Sequence, residues 1–359
     1  MPVYRPLGQE ILSPGEFTIR STAGQGSPGE EAFGIDAVAG TGAFRDFKPI
    51  DFARPLSIVI RRIYSGKYPE KHLFSDRKPM LISSSVKDIT TTSAGARALN
   101  VLKNGVAPKS VFNGPGAAEE GTALVYYSPA VTSPFITVGM TMVFEDFDQE
   151  LFDRAAKLFS ASAGVPIFMP AASYLLAASS VIKLAGDVGN QILNGHPVLN
   201  ENLQIDFSFG GAGLPQPGFW IFSSGMLETS KYQFDPMKGL IQQSNSSPYD
   251  GADPVVVVTA DGAAVEGVSN FTPLLASATL LGRFFNQKEG SEVAVDTVLD
   301  AVKLVNDLTF RKKAEETKTR LMALPAASPE RQKLEDALKA FNQNIGESRL
   351  QLPLAAAAP

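Results

Sequence analysis

The side chains with the clearest chemical potential are carboxylates. Glu145, Asp146, Asp148, Glu150 and Asp153 crowd into nine consecutive positions after an apolar run. Oxygen ligands gathered at a strand end can hold a hard cation such as calcium, which makes Asp146 and Asp148 the metal-ligand candidates. The same two are the nominees for a carboxylate-dependent hydrolase, a chemistry that needs no longer motif. Two features favour a plainer role. The calcium-loop pattern D-x-D-x-D-G is missing, and Asp146 with Gln149 fits a capping box at a helix start, where acids offset the N-terminal dipole.

Other catalytic patterns are missing from the sequence. Its two histidines, His72 and His196, stand more than a hundred residues apart without an H-E-x-x-H, so a histidine-based zinc site is not expected. No serine occupies a G-x-S-x-G nucleophile elbow. The chain has no cysteine, which removes disulfides, thiol nucleophiles and thiolate metal sites together. Gly24, Gly26 and Gly29 spell G-x-G-x-x-G, but Pro28 sits inside the motif and Gly34, Gly40 and Gly42 follow it. No amphipathic helix can open there to receive a pyrophosphate, so the stretch reads as a loop. No catalytic residue is nominated, and no cofactor is expected.

Composition narrows the class further. A net charge of −5 and a pI near 5.3 offer no basic surface for nucleic acid. The apolar fraction of 44% is enough for a substantial core, and 31 Gly with 25 Pro favour short strands joined by turns. The opening residues lack the apolar core of a signal peptide, so the expected location is cytoplasmic.

These residues must be carried by strands over most of the chain. Residues 56–64 form a β-branched run; 123–127 and 135–144 are charge-free and rich in β-formers. Leu203, Ile205, Phe207 and Phe209 alternate with period two, residues 16–21 alternate weakly, and 219–222 and 255–259 are further strands. Asp261-Gly262 is the dipeptide of a tight hairpin turn into 263–268. Within 148–193, Leu151, Phe152, Ala155, Leu158 and Phe159 share a helical face, Pro166 and Pro170 interrupt, and a second helix is expected toward Ile192. This predicts a helical hairpin inserted between strands.

The C-terminal part differs in charge. Residues 286–349 carry 22 charged side chains, 11 of each sign, roughly twice the density of the rest. Ala294, Val298, Ala301, Val302, Val305 and Leu308 form one apolar stripe, and Leu334, Leu338, Phe341 and Ile345 another. Ser328-Pro329-Glu330 is a helix start with Ser328 as cap. The expectation is an α+β chain. Its mainly antiparallel, sandwich-like β domain (1–285) holds the insertion at about 148–193, a C-terminal helical hairpin spans 286–350, and 351–359 form a disordered end.

The function expected from this is non-enzymatic: interaction with another protein or with copies of itself, using the insertion and the C-terminal helices. Leu175, Leu176, Val298, Val305, Leu334 and Leu338 are the partner-binding candidates. The alternative is membrane association through 158–193, since residues 158–182 carry no charge, although two prolines and five serines count against a span.

Overall fold

The computed structural model describes residues 3–13, 15–17, 47–69, 77–88, 96–115, 121–145, 147, 175–177, 196–207, 217–265, 292–325, 328 and 330–353. Over these the chain is mostly antiparallel sheet, with two helices near the C-terminus.

The central feature of the first sheet is an apolar run that no single-faced sheet would need. Strand β14 (Val255–Asp261) is buried at every position. It lies between β11 (Gly218–Ser223) and β3 (Leu56–Tyr64), and the sheet continues through β1 (Val3–Leu7) to β2 (Glu10–Leu12) on one side. On the other side, β6 (Val111–Phe112) and β7 (Leu124–Ser128) share the far edge of β3, pairing with its end and its beginning respectively. Alternate residues then go to opposite faces, as the pleat requires. Val256, Val258 and Ala260 join the main core with Trp220, Phe222, Ile58 and Ile60, while Val255 and Val257 face away with Tyr4, Ile221 and Tyr64.

Each face has its own cover. The inner face shares one apolar cluster with a four-stranded sheet of order β10-β8-β4-β5: β10 (Leu199–Asp206), β8 (Phe135–Phe144), β4 (Lys78–Asp88) and β5 (Ala96–Val106). Met80, Ile82, Val101, Val138, Met140, Met142 and Ile205 are its contributions. A bulge locks the two sheets together. Ile82 pairs with Val101 but Ser83 with Leu99, leaving Asn100 as the extra residue. Its buried amide Nδ2 donates to Thr122 O (2.9 Å) and Leu124 O (3.2 Å), where β7 begins.

The outer face is covered by the hairpin β12 (Tyr232–Asp235) and β13 (Gly239–Gln242). Asp235 Oδ1 accepts from Met237 N and Lys238 N, which tightens the turn. Tyr64 pins it down: its hydroxyl accepts from Leu240 N (2.8 Å) and donates to Lys238 O (3.1 Å). Gly239 is required here. Its φ is +84°, and a Cβ would lie 2.0 Å from the Tyr64 hydroxyl oxygen. Tyr232, Tyr249 and Phe234 fill the space between hairpin and sheet.

Several sequence expectations change here. Of the weak alternation at 16–21, the described residues 16 and 17 belong to a helical turn at 15–17, and 18–21 lie outside the described residues. Ser13 Oγ and N donate to Glu16 Oε2, and Glu16 N to Ser13 Oγ, a reciprocal cap. Asp261-Gly262 makes no hairpin among the described residues. Both flanks of β14 are already taken, and Asp261 Oδ1 instead accepts from Lys48 N and Ala263 N. Leu175–Ala177, expected in a helix, is strand β9, paired with β15 (Glu292–Ala294); the rest of the insertion lies outside the described residues. Strands β4 and β5 were not expected at all, because serines and a bulge mask their period.

Burial raises the Tyr64 phenol from the ordinary 10.0 to about 12. The unfolded chain therefore releases this proton first, so the stability it contributes is complete below pH 10 and lost as pH rises toward 12. Replacing Tyr64 with Phe strands the buried Leu240 N–H and should cost about 1–3 kcal/mol at neutral pH. It should also flatten part of the alkaline decline, both read from urea melts across pH.

Candidate functional site

The two C-terminal helices are the region where sequence and structure together leave a surface to explain. Helix α1 (Val295–Ala323) has 29 residues and α2 (Glu330–Gln343) has 14. Ser328 Oγ accepts from Glu330 N, which starts α2 as its residue types require. The pair is antiparallel: Arg331 Nη1 reaches Leu324 O at one end, and the Asp307 carboxylate accepts from Gly346 N and Glu347 N (both 2.9 Å) at the other. Helix α2 thus ends level with Asp307, and the first three turns of α1 extend past it.

One face of this pair is fastened to the sheets. Phe310, Ala314, Ala337, Leu338, Phe341 and Ile345 form a buried cluster with Ala53 and Ala130. Phe341 is fully buried and meets the ring of Phe52 edge-on at 5.5 Å. Beyond α2 the chain turns back over its own end. Leu352 N donates to Asn342 Oδ1 and Asn342 Nδ2 to Leu352 O, while Gln351 Nε2 donates to Ile345 O. The end expected to be disordered from 351 is therefore held through Leu352. The outward face carries ion pairs at helical spacing, Arg311–Glu315, Lys313–Glu316 and Arg331–Glu335, each a small contribution at an exposed site.

The docking stripe of α1 is not the stripe most visible in the sequence. Phe310, Ala314, Thr317 and the partly buried Leu321 face inward. Leu304 (51% exposed) and Leu308 (48%) lie one turn apart on a different side, about 130° around the helix by residue count. Val298 and Val305 belong to α1 as well, with side chains outside the described set. Leu334 and Leu338, nominated as partner contacts, are buried within the chain and serve its own packing. Leu175 and Leu176 sit in β9.

The chemical nominees give no assembled centre. Asp146, Asp148 and His72 lie outside the described residues, while Phe147 is buried. His196 is exposed, and its backbone N–H donates to Glu145 Oε1 at 3.4 Å. Among the described residues no group of three His, Asp or Glu is placed to hold a metal, and no helix is long and apolar enough to cross a membrane. A feature the sequence did not disclose is Arg5. Its guanidinium is stacked 4.1 Å from the Phe17 ring centroid and 4.6 Å from that of Trp220, donates to Pro217 O, and is pushed down to about 9 by burial. Tyr232 is likewise raised to about 12 by burial and donates to Asp250 Oδ1. Both groups knit the fold through these contacts. No protein family, curated protein or solved structure matches this chain.

Two substitutions separate packing from surface. Phe341→Ala should destabilise by about 3–5 kcal/mol, because the cavity opens between helices and sheets. Leu308→Ala should stay within about 0.5 kcal/mol, as expected at an exposed position. Denaturant midpoints for the two variants check both.

Proposed function

We propose that this protein is a non-enzymatic interaction and assembly scaffold, in which a β-sandwich body presents the projecting part of α1 to another protein chain. The observation that carries the reading is the pair Leu304 and Leu308. They are large, apolar and half exposed on the stretch of α1 at and beyond the end of α2, on a side that the docking stripe does not use. An apolar pair at i and i+4 is the repeat that helix-in-groove and helix-pairing contacts read. Fastening of α1 through Phe310 and Ala314 supports the same reading, because a preordered helix loses little conformational freedom on binding.

The test uses the full chain isolated from its native source, sized by light scattering after size exclusion, beside the double variant Leu304→Glu/Leu308→Glu. The expected result is a complex heavier than the 38.2 kDa chain that contains a second polypeptide and is lost in the variant, with the melting temperature unchanged. A wild-type chain free of any second polypeptide, or a complex indifferent to the double variant, would overturn the proposal.

A further inference from the structure

Strand β10 ends the four-stranded sheet, and among the described residues no strand pairs with its outer edge. The other long edge, β5, carries two register shifts, whereas β2 and β6 are only three and two residues long. Over Leu199–Asp206 the register with β8 is unbroken for eight pairs. The strand contains no Pro, Lys or internal bulge, the usual devices that keep an edge from pairing.

The direction of its backbone groups follows from its C-terminal end. Phe207 N donates to Pro134 O in the register of the ladder, so by alternation Leu199, Glu201, Leu203 and Ile205 turn their N–H and C=O toward β8. Asn200, Asn202 and Gln204 turn theirs outward, and all three side chains are exposed. The only charge between Leu199 and Ile205 is Glu201, whose carboxyl is raised by desolvation.

The geometry points to β10 as a pairing edge for a second copy of this chain, two β10 strands joining antiparallel about a twofold axis at Asn202 into one continuous eight-stranded sheet. This register is self-complementary. Asn202 meets Asn202, Asn200 meets Gln204, and Glu201 lies opposite Leu203 rather than its own copy. About six backbone hydrogen bonds then form with no like charges facing. Pairing of identical edges is a closed, isologous contact, so it yields a dimer and not a fibre. The inference rests on the assembly reading but uses a surface separate from α1.

Sedimentation of the full chain across a micromolar concentration series tests it, with Asn202→Lys, Asn202→Asp and Asn202→Pro. The wild type should be a dimer. Asn202→Lys sets two cations opposite each other and should weaken the dimer about tenfold or more. Asn202→Pro removes the outward donor while sparing the ladder to β8 and should act likewise, each with an unchanged melting temperature. Mixing the Lys and Asp variants should restore association. A monomeric wild type, or a dimer that none of the three variants weakens, would overturn the inference. Loss of the dimer in Leu304→Glu/Leu308→Glu but not in the Asn202 variants would move self-association to α1.

Discussion

The structure depends on the burial of β14 from both sides. Four consecutive valines followed by Thr259 and Ala260 give the strand two apolar faces, and neither can be left to water without forfeiting roughly 2 kcal/mol per large side chain. Two covers are therefore obligatory. The four-stranded sheet supplies one, through Met80, Met140 and Met142; the hairpin β12–β13 supplies the other, through Phe234 and Leu240. Two polar side chains that fall in these interfaces find backbone partners. Tyr64 closes the backbone of the hairpin turn, and the Asn100 amide closes two carbonyls where the sheets meet. Matching of this kind makes the arrangement specific, because a buried donor without its partner costs more than the bond itself contributes.

The helices are attached to this body by a smaller version of the same rule. Ala53 and Ala130 are small residues beside the sheets, and they let the Phe341 and Phe310 rings seat against the body. With that face committed, Leu304 and Leu308 are left outside the core. They stay at the surface for a geometric reason: they lie about 130° around α1 from the stripe of Phe310 and Ala314 that is seated. The outer edge of β10 is a comparable leftover. A sheet of finite width has two edges; one here is bulged, and the other is straight and carries uncharged amides.

What the amino-acid sequence by itself determined was the set of elements whose side chains all agree. The β-branched run at 56–64, the charge-free run at 135–144 and the valines of β14 could only be buried strands, and Ser328 with Glu330 could only start a helix. Elements with mixed signals were settled by tertiary contacts. Strand β4 carries Ser83, Ser84 and Ser85 at positions where a strand with one buried face should alternate; Ser83 and Ser84 are buried because neighbours cover both faces. Asp261-Gly262 has the chemistry of a turn, but β11 and β3 already occupied both edges of its strand, so its carboxylate was spent on Lys48 and Ala263. The stripe through Val298 and Val305 was legible as helix but not as orientation. Which side of α1 docks was decided by Phe310 meeting Phe341 and Ala130, residues far apart in sequence. A local pattern states that a face is apolar; only the packed structure decides which apolar face is covered, since that depends on where distant segments leave room.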